Sequence, residues 1–193
     1  MSRIAVIGAQ YNGRGAVAEQ IQTALLDRSL SVCRTGNLDD TCRSLGFPLA
    51  SKTTAATAAW SMTAGAAAVE IALSDTDVAI SEYAPVESMA LWLAAVQQRR
   101  ELPDPNDQEY LDQLASVLSL RYTLTLVIPF APRAGSGISQ REERFLACVD
   151  EHLRGLLDKL GVAHYDVPAG PDGHVSAVDA ALAEVLYKRR DAR

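Results

Sequence analysis

The sequence predicts an α/β protein in which a mostly parallel β-sheet carries helices on both faces. Short apolar, β-branched runs alternate with helical patterns along the chain, and the first such run ends at a glycine that leads into a helix. A strand that follows a crossover helix returns parallel, by a right-handed connection. Because the chain has 193 residues, 48% of them hydrophobic, we expect a single domain over 1–193 with a sizeable core.

The N-terminal half begins with the run R-I-A-V-I-G, which is typical of a buried strand. Apolar residues at helical spacing follow it, so the glycine-rich segment between them is predicted to be a strand-to-helix turn. A polar, turn-rich passage near the middle of this half has no clear pattern of either kind. The expected elements are strands at 3–8, 31–34 and 77–81 and helices at 15–26 and 55–72.

The C-terminal half continues the alternation. Pro85 stands where a first helical turn begins, and Ser139 with Glu142 forms a capping-box pattern at the start of a long helix that ends at Gly161. The run Y-T-L-T-L-V-I-P-F has the strongest strand pattern in the chain. The expected elements are helices at 85–99, 108–119, 139–160 and 175–188 and strands at 122–130 and 162–167.

Charge and composition exclude several classes of function. Acidic residues outnumber basic ones by 24 to 18, so we expect no broad cationic surface for duplex nucleic acid. The three cysteines and three histidines form no CxxC or HExxH pattern, which argues against a zinc site. The apolar run at 4–9 is too short to span a membrane, and we expect a cytoplasmic protein with reduced thiols.

Ligands of parallel sheets bind beyond the carboxyl ends of the strands. The loops at 9–15, 81–85 and 131–139 each follow a predicted strand, so we expect them to converge on one crevice.

The first of these loops resembles a phosphate-binding loop that has lost two positions. Residues 8–15 read G-A-Q-Y-N-G-R-G and match GxxxxGK[ST] at both glycines, with an arginine for the lysine and a glycine for the hydroxyl residue. Glycines let backbone amides curl around an anion at a helix N-terminus. The alternative is a glycine-rich turn with an exposed arginine. The residues expected to bind phosphate are Gly8, Asn12, Gly13, Arg14, Gly15 and Ala16.

The middle of the chain resembles P-loop nucleoside and nucleotide kinases, including the small kinase-like domains related to the nicotinamide-riboside kinase part of NAD-biosynthesis regulators. Residues 63–93 read T-A-G-A-A-A-V-E-I-A-L-S-D-T-D-V-A-I-S-E-Y-A-P-V-E-S-M-A-L-W-L. Glu70 matches the helix glutamate of that family, and Glu82, Pro85 and Glu87 match its aspartate, proline and second acid. Tyr83 stands where the family has an arginine.

The resemblance covers residues 3–167 and implies a three-layer P-loop NTPase fold with a five-stranded parallel sheet. It also implies Mg²⁺-ATP as the phosphoryl donor and a small-molecule nucleoside or nucleotide as the acceptor. Glu82 is the implied catalytic base or Mg²⁺ contact. A lid over 131–145, read as R-A-G-S-G-I-S-Q-R-E-E-R-F in its main part, supplies the implied cations Arg133, Arg141 and Arg144.

Each of these residues also has a structural interpretation. Glu82 would then be a solvated acid at a strand end, and Arg141 and Arg144 would pair with Glu142, Glu143 or Asp150 on a helix surface. Other candidates are open in the same way. Glu70 and Glu87 either line an acceptor pocket or lie on helix surfaces, Trp60 and Trp92 either stack on a base or belong to the core or an interface, and Asp77 is expected to be structural.

Two classes of function fit these sequence features. The leading hypothesis is a kinase that transfers the γ-phosphoryl group of ATP to a nucleoside, a nucleotide or a modified base. The competing hypothesis is a catalytically inactive scaffold that binds a nucleotide or a partner, since Arg14, Gly15 and Tyr83 all depart from the family pattern. The alanine-rich helix at 55–72 would suit a homodimer interface. Modification of bases within DNA is a third possibility that the acidic charge balance disfavours.

Overall fold

The computed structural model describes residues 1–9, 13–36, 38–131 and 137–191. Five strands form one parallel sheet in the order β2-β3-β1-β4-β5. The strands are β1 (Ser2–Ile7), β2 (Val32–Arg34), β3 (Val78–Ser81), β4 (Leu124–Val127) and β5 (Tyr165–Asp166). The helices are α1 (Arg14–Leu26), α2 (Asp39–Ser44), α3 (Ala55–Asp75), α4 (Pro85–Arg99), α5 (Pro105–Ser119), α6 (Gln140–Leu160) and α7 (Pro171–Asp191), with a 3₁₀ turn at Ala50–Lys52.

The first strand lies at the centre of the sheet. β1 pairs in parallel with β3 on one side, where Ser2 aligns with Val78, and with β4 on the other, where Ile4 aligns with Leu124. Every pairing in the sheet is parallel, which confirms the predicted fold class. The carboxyl ends of β1, β2, β3 and β4 therefore meet at one edge of the sheet, where the predicted crevice lies.

Two separate apolar cores cover the two faces of the sheet. Successive side chains of a strand point to opposite faces, and β1 follows this rule closely. Ile4 and Val6 pack with residues of α1 and α7, whereas Ala5 and Ile7 pack with residues of α3, α4 and α6. The result is the three-layer arrangement that the sequence predicts.

Helix α3 is long and apolar enough, by length and composition, to cross a membrane. Its contacts with α4, α5 and β3 are those of a core helix in this fold. Gly65 permits one close approach, because a Cβ atom at this position would lie 3.2 Å from Cδ1 of Tyr83. The missing side chain of Gly65 thus makes room for the ring of the residue that follows the site acid Glu82.

Some boundaries differ from the predictions for local reasons. Asp104 caps α5 by accepting from the amide of Asn106 at 2.8 Å, so this helix begins at Pro105 rather than at 108. Strands β4 and β5 are shorter than the apolar runs that predict them, because the pairing of β4 with β1 and with β5 covers only part of each run. The polar passage without a clear pattern contains α2 and the 3₁₀ turn.

Asp77 has the structural role that the sequence predicts. Its Oδ2 accepts hydrogen bonds from the amide of Ser31 at 3.0 Å and from the hydroxyl of Ser31 at 2.9 Å. These bonds join the segments that lead into β2 and β3, at the edge of the sheet opposite the crevice.

We predict that Leu153→Ala lowers the free energy of unfolding by about 2–5 kcal/mol, because Leu153 is fully buried on α6 and its truncation leaves a cavity. Leu102→Ala is the matched control, since the same side chain there is 93% exposed and its loss is expected to change stability by less than about 0.5 kcal/mol. Urea unfolding of both variants measures this difference. Equal losses would contradict the burial of α6 against the sheet.

Candidate functional site

The amino end of α1 forms an uncapped turn directly after β1. Gly8 and Gly13 have φ angles of 141° and 84°, a region that suits glycine. Gly13 is the N-cap residue of α1, and the first turn of the helix has neither a side-chain cap nor an acidic residue. Backbone amides at such a helix start attract anions. Of the predicted phosphate-binding residues, Asn12 lies outside the described part of the chain.

Arg14 joins the start of α1 to the start of α4. Its Nη1 lies 2.6 Å from Oε1 of Glu87 and 3.4 Å from the carbonyl oxygen of Gly8. The side chains of Arg14 and Glu87 are only 12% and 3% exposed. Arg14 is thus not the exposed arginine of the alternative interpretation, and the idea that Glu87 lies on a helix surface is wrong, because the first turn of α4 is buried against the site.

Burial controls the protonation of this pair. Desolvation raises the pKa of Glu87 to about 7, and the positive charge of Arg14 opposes that shift. Glu87 in turn raises the pKa of Arg14. Oε2 of Glu87 is buried and has no hydrogen-bond partner among the described residues. The Glu87 carboxyl is therefore poised to exchange a proton near neutral pH, whereas Arg14 stays charged.

Glu82 packs against the first turn of α1 and is held by an arginine from β2. Nη2 of Arg34 binds Oε1 of Glu82 and lies 3.5 Å from the carbonyl oxygen of Gly15. A Cβ atom on Gly15 would lie 3.2 Å from Oε2 of Glu82. Because the Glu82 side chain is only 12% exposed, the interpretation of Glu82 as a solvated strand-end acid is wrong.

Arg34 is a site residue that the sequence patterns did not reveal. It is the last residue of β2, so the rule that parallel strands end at one edge was a sufficient signal. Its Nε is buried without a hydrogen-bond partner among the described residues. This nitrogen is a donor that an anion at the turn could use.

A small cavity of about 80 Å³ adjoins Tyr83, the residue after Glu82. We call it the Tyr83 cavity. The hydroxyl of Tyr83 is hydrogen-bonded to that of Ser88, and burial raises the pKa of Tyr83, so this side chain stays neutral. The lining residues come from α2, α3, α4, α6 and the segments between them: Asp39, Arg43, Leu49, Ala50, Thr53, Thr57, Ala58, Ser61, Tyr83, Ser88, Leu91 and Phe145.

Asp39 and Arg43 of α2 are further residues that the sequence patterns did not reveal. Both line the Tyr83 cavity, and the charge of Asp39 contributes to the pKa shifts of Arg14 and Glu87. They lie in the polar passage that showed no helical periodicity, since α2 has only six residues.

The arginines of the predicted lid are divided between two parts of the chain. Arg133 lies outside the described residues. Arg141 and Arg144 are side chains on the first turns of α6, and they line a second cavity, between α4 and α6. Neither forms an ion pair within the described ranges, and Asp150 is paired with Arg154 instead, at 3.0 Å.

The other candidates lie away from the turn. Glu70 binds Arg3 at the start of β1 and also Arg121, each at 3.0 Å, so it does not line an acceptor pocket. Trp92 is buried in the core. Trp60 packs against Phe47 with ring centroids 5.2 Å apart.

The charges at the turn decide what it can bind. Two arginines and two glutamates surround the start of α1, so an incoming phosphate has to replace a carboxylate as the partner of an arginine. Mg²⁺ binds through one or two carboxylates together with substrate phosphates, and Glu82 is placed to supply such a ligand. Within the described ranges no three His, Cys, Asp or Glu side chains gather as a metal site, so any metal here depends on the phosphates.

The raised pKa of Glu87 predicts that its carboxyl makes the protein less stable as pH rises. The unfolded chain releases this proton near pH 4.5 and the folded chain near pH 7, so stability is greatest below 4.5 and falls between these values. At about 1.4 kcal/mol per pKa unit, the loss amounts to roughly 3 kcal/mol. Urea unfolding across this range should show the slope in the wild type and in the exposed control Glu19→Gln, but not in Glu87→Gln. An unchanged slope in Glu87→Gln would contradict this assignment.

Comparisons with known proteins agree with this architecture. No protein-family model matches the sequence, and no curated protein matches it either. Among solved structures, a crystal structure of NadR protein in complex with NR has a TM-score of 0.69 and 13% identity, covering 95% of this chain and 50% of NadR. The chain thus spans half the length of NadR. Deoxyadenosine kinase from M. mycoides, solved with dCMP and dCDP, has a TM-score of 0.65 and 12% identity, covering 96% and 99% of the two chains. The chain therefore has the fold of the P-loop nucleoside kinases.

Proposed function

We propose that the protein is an ATP-dependent phosphotransferase that acts on a nucleoside or a nucleotide. One observation supports this most directly: the Glu82 carboxylate is fixed against the first turn of α1, and the next residue, Tyr83, lines a polar cavity. An acid in this position stands between a phosphate-binding turn and a place for an acceptor. This is the arrangement that phosphoryl transfer requires, because its catalysis consists mainly of positioning and charge stabilisation.

The donor phosphates would bind at the amino end of α1. The amides of the glycine-rich turn point to this position, and Arg14 and Arg34 supply positive charge beside it. Bound Mg²⁺ would neutralise charge on the phosphate oxygens, with Glu82 as its protein contact. Nothing at Gly15 supplies the hydroxyl ligand that the family uses, so Glu82 carries this role alone.

The acceptor would enter from the side of the Tyr83 cavity. Its hydroxyl oxygen forms a bond to the γ-phosphorus of ATP while the bond from that phosphorus to the ADP oxygen breaks. The hydroxyl proton passes to Glu82 and then to solvent. Arg34 fixes the carboxylate during this step, because it binds Oε1 and leaves Oε2 facing the turn.

The proposed transfer does not require the lid arginines. The roles of Arg133, Arg141 and Arg144 at the transferring phosphate stay predictions, and the chemistry depends on Glu82, Arg14 and Arg34.

Glu82→Gln is predicted to lower kcat by about 100-fold or more, because the acceptor hydroxyl loses its proton acceptor. Transfer of phosphate from ATP to a panel of nucleosides and nucleoside monophosphates, with Mg²⁺, measures this effect. Glu19→Gln, on the exposed side of α1, is the control and should keep full activity. ATP binding with no product on any acceptor would overturn the enzyme proposal and favour a nucleotide-binding scaffold.

Arg14→Ala and Glu87→Gln should change ATP affinity in opposite directions. Removing Arg14 deletes a cation at the phosphates and should weaken binding by about tenfold or more. Glu87→Gln removes the competing carboxylate, so Arg14 becomes available and ATP should bind more tightly than to the wild type. Calorimetric titration measures both, with the exposed Arg28→Gln as a control. Equal weakening by both variants would show that the pair is only structural.

A further inference from the structure

A second cavity lies between α4 and α6, on the far side of Phe145 from the Tyr83 cavity. We call it the α4–α6 cavity. Its volume is about 400 Å³, within the range of roughly 300–1,000 Å³ that is typical of small-molecule sites. Phe145 lines both cavities, so one aromatic ring forms a shared wall. None of the roles proposed above uses this space.

The charged groups of the α4–α6 cavity are all positive. Arg141 and Arg144 lie at its edge, and the other polar lining residues are the amides Gln97, Gln98 and Gln140. No carboxylate belongs to the described lining, and neither arginine forms an ion pair with a described residue. Two guanidinium groups one helical turn apart bind a phosphate or carboxylate well, because each offers several donors in a fixed geometry.

The rest of the lining suits a heteroaromatic ring. Phe145 and Ala94 provide an apolar wall against which a planar ring can stack. Oε1 of Gln98 is buried and has no hydrogen-bond partner within the described residues. A buried amide oxygen without a partner costs free energy, and a ligand that donates an N–H there would remove this cost.

We infer that the α4–α6 cavity binds a nucleoside monophosphate, separately from the ATP turn and the Tyr83 cavity. The phosphate lies at Arg141 and Arg144, the base lies on Phe145, and an exocyclic amino group of the base donates to Gln98. Amide side chains recognise the hydrogen-bonding edges of bases in this way. Because adenine and cytosine carry an exocyclic amino group that can reach such an acceptor, AMP and CMP are the preferred ligands and UMP is disfavoured.

A cysteine inside the cavity makes this inference testable at the site itself. The sulfur of Cys148 lines the cavity and donates to Oε1 of Gln97 at 3.3 Å. Cys148 and Cys33 are both free and partly exposed, and Cys33 lies on β2, away from α4 and α6. A ligand in the cavity covers one thiol and leaves the other open, so Cys33 is an internal control.

The experiment follows the alkylation of each thiol by iodoacetamide, using mass spectrometry of the full chain with and without millimolar AMP, CMP, UMP, adenosine or inorganic phosphate. We expect AMP and CMP to slow the modification of Cys148 and not of Cys33. Arg141→Gln/Arg144→Gln should weaken this protection about tenfold or more. Neither arginine is buried, so the double variant should fold. Ala94→Phe, which fills the cavity, should abolish the protection.

Several outcomes would overturn the inference: no protection by any nucleoside monophosphate, equal protection by phosphate alone, or protection that persists in the double variant. Calorimetric titration of the wild type and the double variant with AMP decides the matter independently, because the wild type must bind more tightly. The inference does not rest on phosphoryl transfer. Loss of activity in Glu82→Gln with intact Cys148 protection would separate the two proposals.

Discussion

The buried ion pair between Arg14 and Glu87 is the constraint on which the site depends. It fixes the start of α1 against the start of α4, and its two side chains are almost removed from solvent. A buried pair gains little over a well-packed apolar contact, but the loss of one partner leaves a charge that nothing compensates. The glycine-rich turn after β1 is consequently held in place by charges that lie outside the turn itself.

The second pair, Arg34 with Glu82, gives the site its electrostatic character. A phosphate turn usually presents positive charge to an incoming anion, whereas here each arginine already has a carboxylate partner. Ligand binding is then an exchange of partners. Because burial raises the pKa of Glu87 to about 7, one of the two carboxylates can become neutral during this exchange.

The sequence was sufficient for the architecture but only partly for the site. Alternation of strands and helices predicted the parallel sheet, since periodicity depends on which residues face the core. Glu82 was found because it ends a strand with a strong apolar pattern. The partners Arg34 and Glu87 were missed or misplaced, because pairing across β2, β3 and α4 depends on side-chain directions that periodicity does not encode. Short α2 left no periodic signal, and Asp39 and Arg43 went unnoticed with it.

The central position of β1 also affects how the chain is made. The amide of Arg3 bonds to Thr123, 120 residues later, so the first strand synthesised has to wait for most of the chain before its second neighbour exists. Such distant pairing slows folding. Until β4 leaves the ribosome, the apolar β1 has an open edge, and a nascent chain of this kind depends on chaperones to prevent association with other chains.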